Sequence, residues 1–200
     1  MPAGGFEKPK LSCCSFEVPG GKGFALVGYR ESYTNGGKDL WFVRTSPSGD
    51  MTDKYHYGGN ADDGGRALVL LEDGFALAGW TEEGGEGLQA WLLKVNPFGV
   101  VVWEQLLGPG IACDVVLSPD GGLIVVGEGA DGDSDGLLIR FSESGVKHWT
   151  GAYGGSNMDE LWTVFVEPEG NITFAGTYHK GDLTKKEEMW LVKLGLECGD

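Results

Sequence analysis

The stretch DGDSDG, residues 131–136, places Asp131, Asp133 and Asp135 on alternate positions ahead of a glycine. Alternating carboxylates before a tight turn make the first half of a calcium loop, where oxygen ligands converge on one hard cation. The second half departs from that pattern. Ser142 stands at the twelfth position, where a bidentate glutamate belongs, and Glu143 falls one residue late. Two expectations follow: a weak calcium site, or a solvated turn in which Asp135 repeats a role that Asp39 plays elsewhere.

Other residue types with chemical potential fall short of a site. Gly-Gly-Lys occurs in PGGKG (19–23) and GGKD (36–39), without the spacing or the following Ser/Thr of a phosphate loop. His56, His148 and His179 lie outside any recurring motif, and no G-x-S-x-G is present. The acidic pairs Asp62-Asp63 and Asp159-Glu160 occupy matching places. They read as turn chemistry, or as a negative rim that receives a Lys- or Arg-bearing partner. Trp80 and Tyr178 are the candidate exposed aromatics for ligand stacking. With Asp63 and Asp159 they form the candidate ligand or partner set. No nucleophile is paired with a base, so no enzyme activity is expected. Cys13, Cys14, Cys113 and Cys198 lack zinc spacing and read as thiols of a reducing compartment. Asn171-Ile172-Thr173 spells a glycosylation sequon, to which no role is attached.

The elements that position these residues repeat. GFALVG, GFALAG, GLIVVG and NITFAG end at Gly28, Gly79, Gly127 and Gly176, spaced by 51, 48 and 49 residues. An apolar run precedes each hexapeptide: CSFEV, LVLLE, DVVLS and TVFVE. A third run ending in a base follows: DLWFVR, QAWLLK, DGLLIR and EMWLVK. Turns such as NPFG and SESG then lead to a fourth run, VVVWEQLLG in one repeat and VKHWTGAYGG in another. Each repeat thus holds four strand candidates joined by tight turns, at approximately 6–59, 60–108, 109–155 and 156–200. The last repeat lacks its fourth strand.

The second and third strands are apolar on consecutive positions, so they must be buried on both faces. Sheets packed between neighbouring sheets satisfy that demand, and a radial stack of them is a β-propeller. The pattern GG-x-x-D…DGG-x-x-x-x-G…D-x-W-x-x-K-x-x-x-x-G-x-x-x-W-x-x-x-x-GG resembles the roughly fifty-residue β-propeller repeat of bacterial and archaeal proteins. The resemblance covers nearly the whole chain. It implies an all-β, four-bladed array with four antiparallel strands per blade, and it implies no particular activity. Closure is left open between a four-bladed ring, an eight-bladed ring of two chains, and an edge capped by another protein.

Composition bounds the function. Glycine supplies 36 of 200 residues, more than twice the ~7% usual share, as expected for a turn-rich β protein. A net charge of −15 opposes binding to nucleic acid or to an anionic membrane surface. No apolar run approaches a membrane span, and MPAGGFEKPKLSCC has no apolar core of a secretory leader. The expectation is a non-catalytic structural or protein-interaction module in a larger assembly. The alternative is a glycan- or small-ligand-binding propeller, with calcium as a candidate cofactor. The expected partners are other subunits or a second copy, met through an open edge.

Overall fold

The computed structural model describes residues 14–31, 37–129, 135–155, 158–179 and 187–195. These residues form fourteen strands and no helix. Strands β1 (Cys14–Glu17), β2 (Phe24–Glu31), β3 (Lys38–Thr45) and β4 (Met51–Tyr57) form one antiparallel sheet in that order. Strands β5 (Asp63–Leu71), β6 (Gly74–Thr81) and β7 (Gln89–Val95) continue in the same manner, with β8 (Val101–Leu117) beside β7. The second half of β8 then pairs with β9 (Leu123–Gly129), which pairs with β10 (Gly136–Phe141), and that with β11 (Lys147–Tyr153). Last come β12 (Glu160–Val166), β13 (Ile172–His179) and β14 (Glu187–Leu194). The strands therefore run as four successive antiparallel meanders, the last with three strands among the described residues.

They are not four separate sheets. The ten strands from β5 to β14 form one ladder. One junction is the length of β8, which hydrogen-bonds to β7 through residues 101–109 and to β9 through residues 110–117. The other is a single bridge between Glu160 and Glu128. Residue type explains the first. Asp63 and Asp159 occupy equivalent register positions, and each is fully buried and anchors a Gly-Gly turn. Asp63 Oδ2 accepts from the Gly59 N–H at 3.0 Å. Asp159 Oδ2 accepts from the Gly155 N–H, and its Oδ1 from the His179 N–H at 2.7 Å. The third meander has Gly110 at this position, with φ 131°, and Gly110 donates its N–H to the Leu88 carbonyl at 2.9 Å. A glycine in this conformation carries the chain directly from one meander into the next.

The meanders pack face to face. In one buried cluster Ala25, Val27, Leu40 and Phe42 of the first lie against Leu77 and Leu93 of the second. In another, Ala76, Ala78 and Leu92 of the second meet Val125, Ile139 and Phe141 of the third. In the last, Ile124, Val126 and Leu138 of the third meet Leu161, Ile172 and Phe174 of the fourth. Alternate residues of one strand thus enter different clusters, Leu77 one way and Ala76 the other, as strands apolar on both sides require.

The glycine that ends the hexapeptide has a packing reason in the second, third and fourth meanders. A β-carbon on Gly79 would overlap the Gly64 carbonyl; on Gly127, that of Ile111; on Gly176, that of Glu160. The strand before the hexapeptide is bulged here in the second, third and fourth meanders, at Gly65/Ala67, Ala112/Asp114 and Leu161/Thr163, and the bulge presses its carbonyl onto the glycine. The tryptophan of the third strand shows how the copies have drifted. Trp91 donates its indole N–H to Glu104 at 3.1 Å, and Glu104 pairs with Leu93. In the first meander the matching pair is Val43 and Lys54. An ammonium cannot accept, and the Trp41 indole nitrogen is buried without a partner.

Two stability outcomes follow. Gly79→Ala forces backbone apart and is expected to destabilise by about 1–3 kcal/mol, read as a lowered urea midpoint. Lys54→Glu supplies the missing acceptor for Trp41 and is expected to stabilise by about 0.5–1.5 kcal/mol. A Lys54→Gln variant separates the acceptor from the charge.

Candidate functional site

The bulges and the hexapeptide glycines together bring a line of polar and aromatic side chains across the meanders. The residue after each glycine is Tyr29, Trp80, Glu128 or Thr177, and the bulge residues are Arg66, Cys113 and Trp162. The Tyr29 and Trp80 rings meet edge to face at 6.1 Å. The Arg66 guanidinium lies 5.5 Å from the Trp80 ring centre, and the Lys38 ammonium 5.4 Å from that of Tyr29. Trp162 donates its indole N–H to Thr177 Oγ1 at 3.0 Å.

The electrostatics of this line are set by burial. Glu128 is held above its ordinary value of 4.5, first by desolvation, then by the charge of Glu160 and a hydrogen bond with it; Arg66 opposes the shift. Desolvation also pushes the Cys113 thiol up to about 12, with the Glu128 charge adding to it. Cys113 is therefore a protonated thiol at neutral pH and a poor nucleophile. Asp114, beside it, has a raised carboxyl for the same reason, burial. It is still gripped from the next meander by Thr163 Oγ1 at 2.9 Å and the Val164 N–H at 3.0 Å.

Residues singled out from the sequence fall in three places. Trp80 joins the line described above. Tyr178 lies at 5.6 Å from the Trp190 ring, next to the Gly155 turn. Asp63 and Asp159 are sealed inside turns. Asp131 and Asp133 lie outside the described residues; Asp135 sits by Gly154 and Asp159, at the foot of the same turn. Among the described residues no group of three or more His, Cys, Asp or Glu side chains is placed to hold a metal ion. His56 stacks on Trp41 at 6.4 Å, and burial lowers its pKa. No helix among the described residues is long and apolar enough to cross a membrane.

The surface that sequence reasoning missed is apolar. The outward side of β12–β14 exposes Phe165 by 61%, Met189 by 89% and Leu191 by 73%. Leu191 stands two residues before the basic residue that closes its strand, Lys193. Phe42, Leu92 and Leu138 hold that place in the other meanders, and each is 0% exposed. Met189 likewise matches the buried Leu40, Ala90 and Gly136. Phe165 matches Val69 and Val116, which pack against buried clusters. The signal was available: aligning the repeats by register identifies this side as the one each meander turns to its successor. Strand β14 pairs with β13 alone, so this face ends in an unpaired edge among the described residues.

No family model and no curated protein matches the chain. A solved structure titled "Crystal structure of the eukaryotic initiation factor" is similar over 82% of this chain, at 11% identity and a TM-score of 0.40. The match spans 39% of that structure's own chain.

Glu128 yields a test of the line. A carboxyl raised in the folded state binds its proton more tightly there than when unfolded. Its stabilising contribution is complete below about 4.5 and is lost as pH rises through the raised folded value. Glu128→Gln removes that loss. The variant is expected to melt higher than the native protein at pH 8, with the difference shrinking toward pH 4.

Proposed function

We propose that the chain is a non-catalytic interaction module with β-propeller architecture, its four meanders acting as blades around a common axis. Face-to-face packing of successive meanders supports the architecture. The apolar outer side of β12–β14 carries the functional reading. Phe165, Met189 and Leu191 lie open at places where the other meanders are closed. A large exposed apolar patch of this kind marks a surface that binds another protein. The protonated Cys113 and the use of Asp63 and Asp159 as turn anchors agree with a role other than catalysis.

A second reading draws on Trp80. With Arg66 above it, Tyr29 at its edge and two glutamates further along the line, it offers stacking and hydrogen bonds to a sugar-like ligand. Under this reading Trp80→Ala abolishes a response on a glycan array; under the first there is no response to abolish.

The interaction reading is tested on the protein isolated from its source under mild conditions. It is expected to elute within an assembly larger than one chain, and Leu191→Glu is expected to release it. A lone chain at its own mass, with or without the substitution, overturns the proposal.

A further inference from the structure

Two of the three junctions between meanders carry a second carboxylate beside the one that anchors the turn. At the last junction Asp135 leads into the third strand of the third meander, and Asp159 leads into the fourth meander. A β-carbon on Gly154 would overlap Asp135 Oδ1 and Asp159 Oδ2 alike, so both oxygens crowd one point at the Gly-Gly turn. Asp159 is fully buried, and its oxygens accept from the Gly155 and His179 N–H groups. Asp135 is half-buried, yet its Oδ1 is shut off from solvent and has no hydrogen-bond partner. A buried oxygen left without a partner is costly, most of all on a charged group.

The first junction repeats the arrangement. Asp39 holds the place of Asp135, two residues before the aligned Trp41 and Leu137, and Asp63 holds the place of Asp159. Asp63 is fully buried, and its Oδ1 has no hydrogen-bond partner. Burial raises its carboxyl above the ordinary value; hydrogen bonds from Thr81 and Gly59 oppose this, and the charges of Glu83 and Asp39 add to it. Asp39 is thus near enough to act on Asp63.

The middle junction supplies the contrast. Gly110 stands where Asp63 and Asp159 stand, and Gln89 takes the place of Asp39 and Asp135. Where one carboxylate is missing, so is the other. Turn anchoring gives no reason for this pairing. The N–H groups that Asp63 and Asp159 fasten belong to Gly59, Gly155 and His179, and they ask nothing of a second acid.

We propose that each carboxylate pair, Asp39 with Asp63 and Asp135 with Asp159, holds one calcium ion. The ion lies between the half-buried acid and the fully buried one, where it gives the orphaned oxygens a partner. Calcium bonds oxygen at about 2.3–2.6 Å in flexible geometry, so one ion suits two oxygens crowded at one point, with water and main-chain oxygens as its remaining ligands. A net charge of −15 draws divalent cations to the chain. Two carboxylates per ion make weak sites, with dissociation constants of about 0.1–1 mM. The pair at Asp135 differs from a loop built on DGDSDG, because its second carboxylate comes from the far side of the junction. The inference goes beyond the interaction reading and does not depend on it.

The full chain is stripped with EDTA, dialysed into about 0.15 M NaCl to screen diffuse attraction, and melted with and without CaCl2. The expected rise in melting midpoint is about 5 °C at ten times the dissociation constant, since both ions bind only the folded chain. MgCl2 at the same concentration gives less than half of that rise, because magnesium demands near-ideal octahedral geometry. Asp39→Asn and Asp135→Asn each halve the calcium-dependent rise, and the double variant abolishes it. A native-like circular dichroism spectrum shows that the variants fold. A chain carrying both Asp131→Asn and Asp133→Asn keeps the full rise. A native chain that does not respond to calcium overturns the proposal. So does a rise that survives the Asp39/Asp135 double variant or that magnesium matches, since either marks diffuse attraction to the net charge. A rise lost with Asp131 and Asp133 places the ion in the loop and overturns it as well.

Discussion

A strand that is apolar on both sides has no stable place at a surface. The second and third strands of every meander are of this kind, so each sheet needs a sheet on either side. This constraint sets the order of packing in the whole molecule. It explains why alternate residues of β6 enter different clusters, and why the glycines stand where bulged carbonyls press in. It also determines where the stack is unfinished. The middle meanders are covered on both sides, while among the described residues the fourth leaves Phe165, Met189 and Leu191 exposed on its outer side.

Much of this was legible before any coordinates. The consecutive apolar positions in QAWLLK and GLIVVG announced two-sided burial, and the spacing of the terminal glycines gave the period. Strand limits came out close to those observed, because tight turns in sequences such as SPDGG and NPFG punctuate them sharply. The all-β, antiparallel character follows directly. Less legible was the start of β5 and β12, since a bulge breaks the alternation that a strand search relies on. The union of ten strands into one ladder was not legible at all. It depends on Gly110 standing where Asp63 and Asp159 stand elsewhere, which carries β8 into the third meander, and on the bridge between Glu160 and Glu128, and both appear only in register.

The candidate site shows the same division. Trp80 was found because it follows a repeated glycine, and position along a repeat is information a sequence carries. Asp63 and Asp159 were noticed for the same reason, but repetition alone cannot separate a carboxylate that meets solvent from one that anchors a turn. That depends on which backbone N–H groups surround it. The face of β12–β14 was overlooked because its residue types are ordinary. Met189 and Leu191 look like core, and they are placed as core; only the covering sheet is absent from the described chain.

The junctions between meanders differ in kind, and the difference bears on mechanics. Through Gly110 the strand β8 belongs to two meanders at once, so a pull on one loads the hydrogen bonds of the other in shear along a common rail. The flanking junctions turn on Gly-Gly segments fastened by one carboxylate, Asp63 or Asp159. The middle junction is thus a continuous strand, whereas each flanking one relies on a single buried carboxylate for its turn and on the buried cluster between its two meanders for the rest.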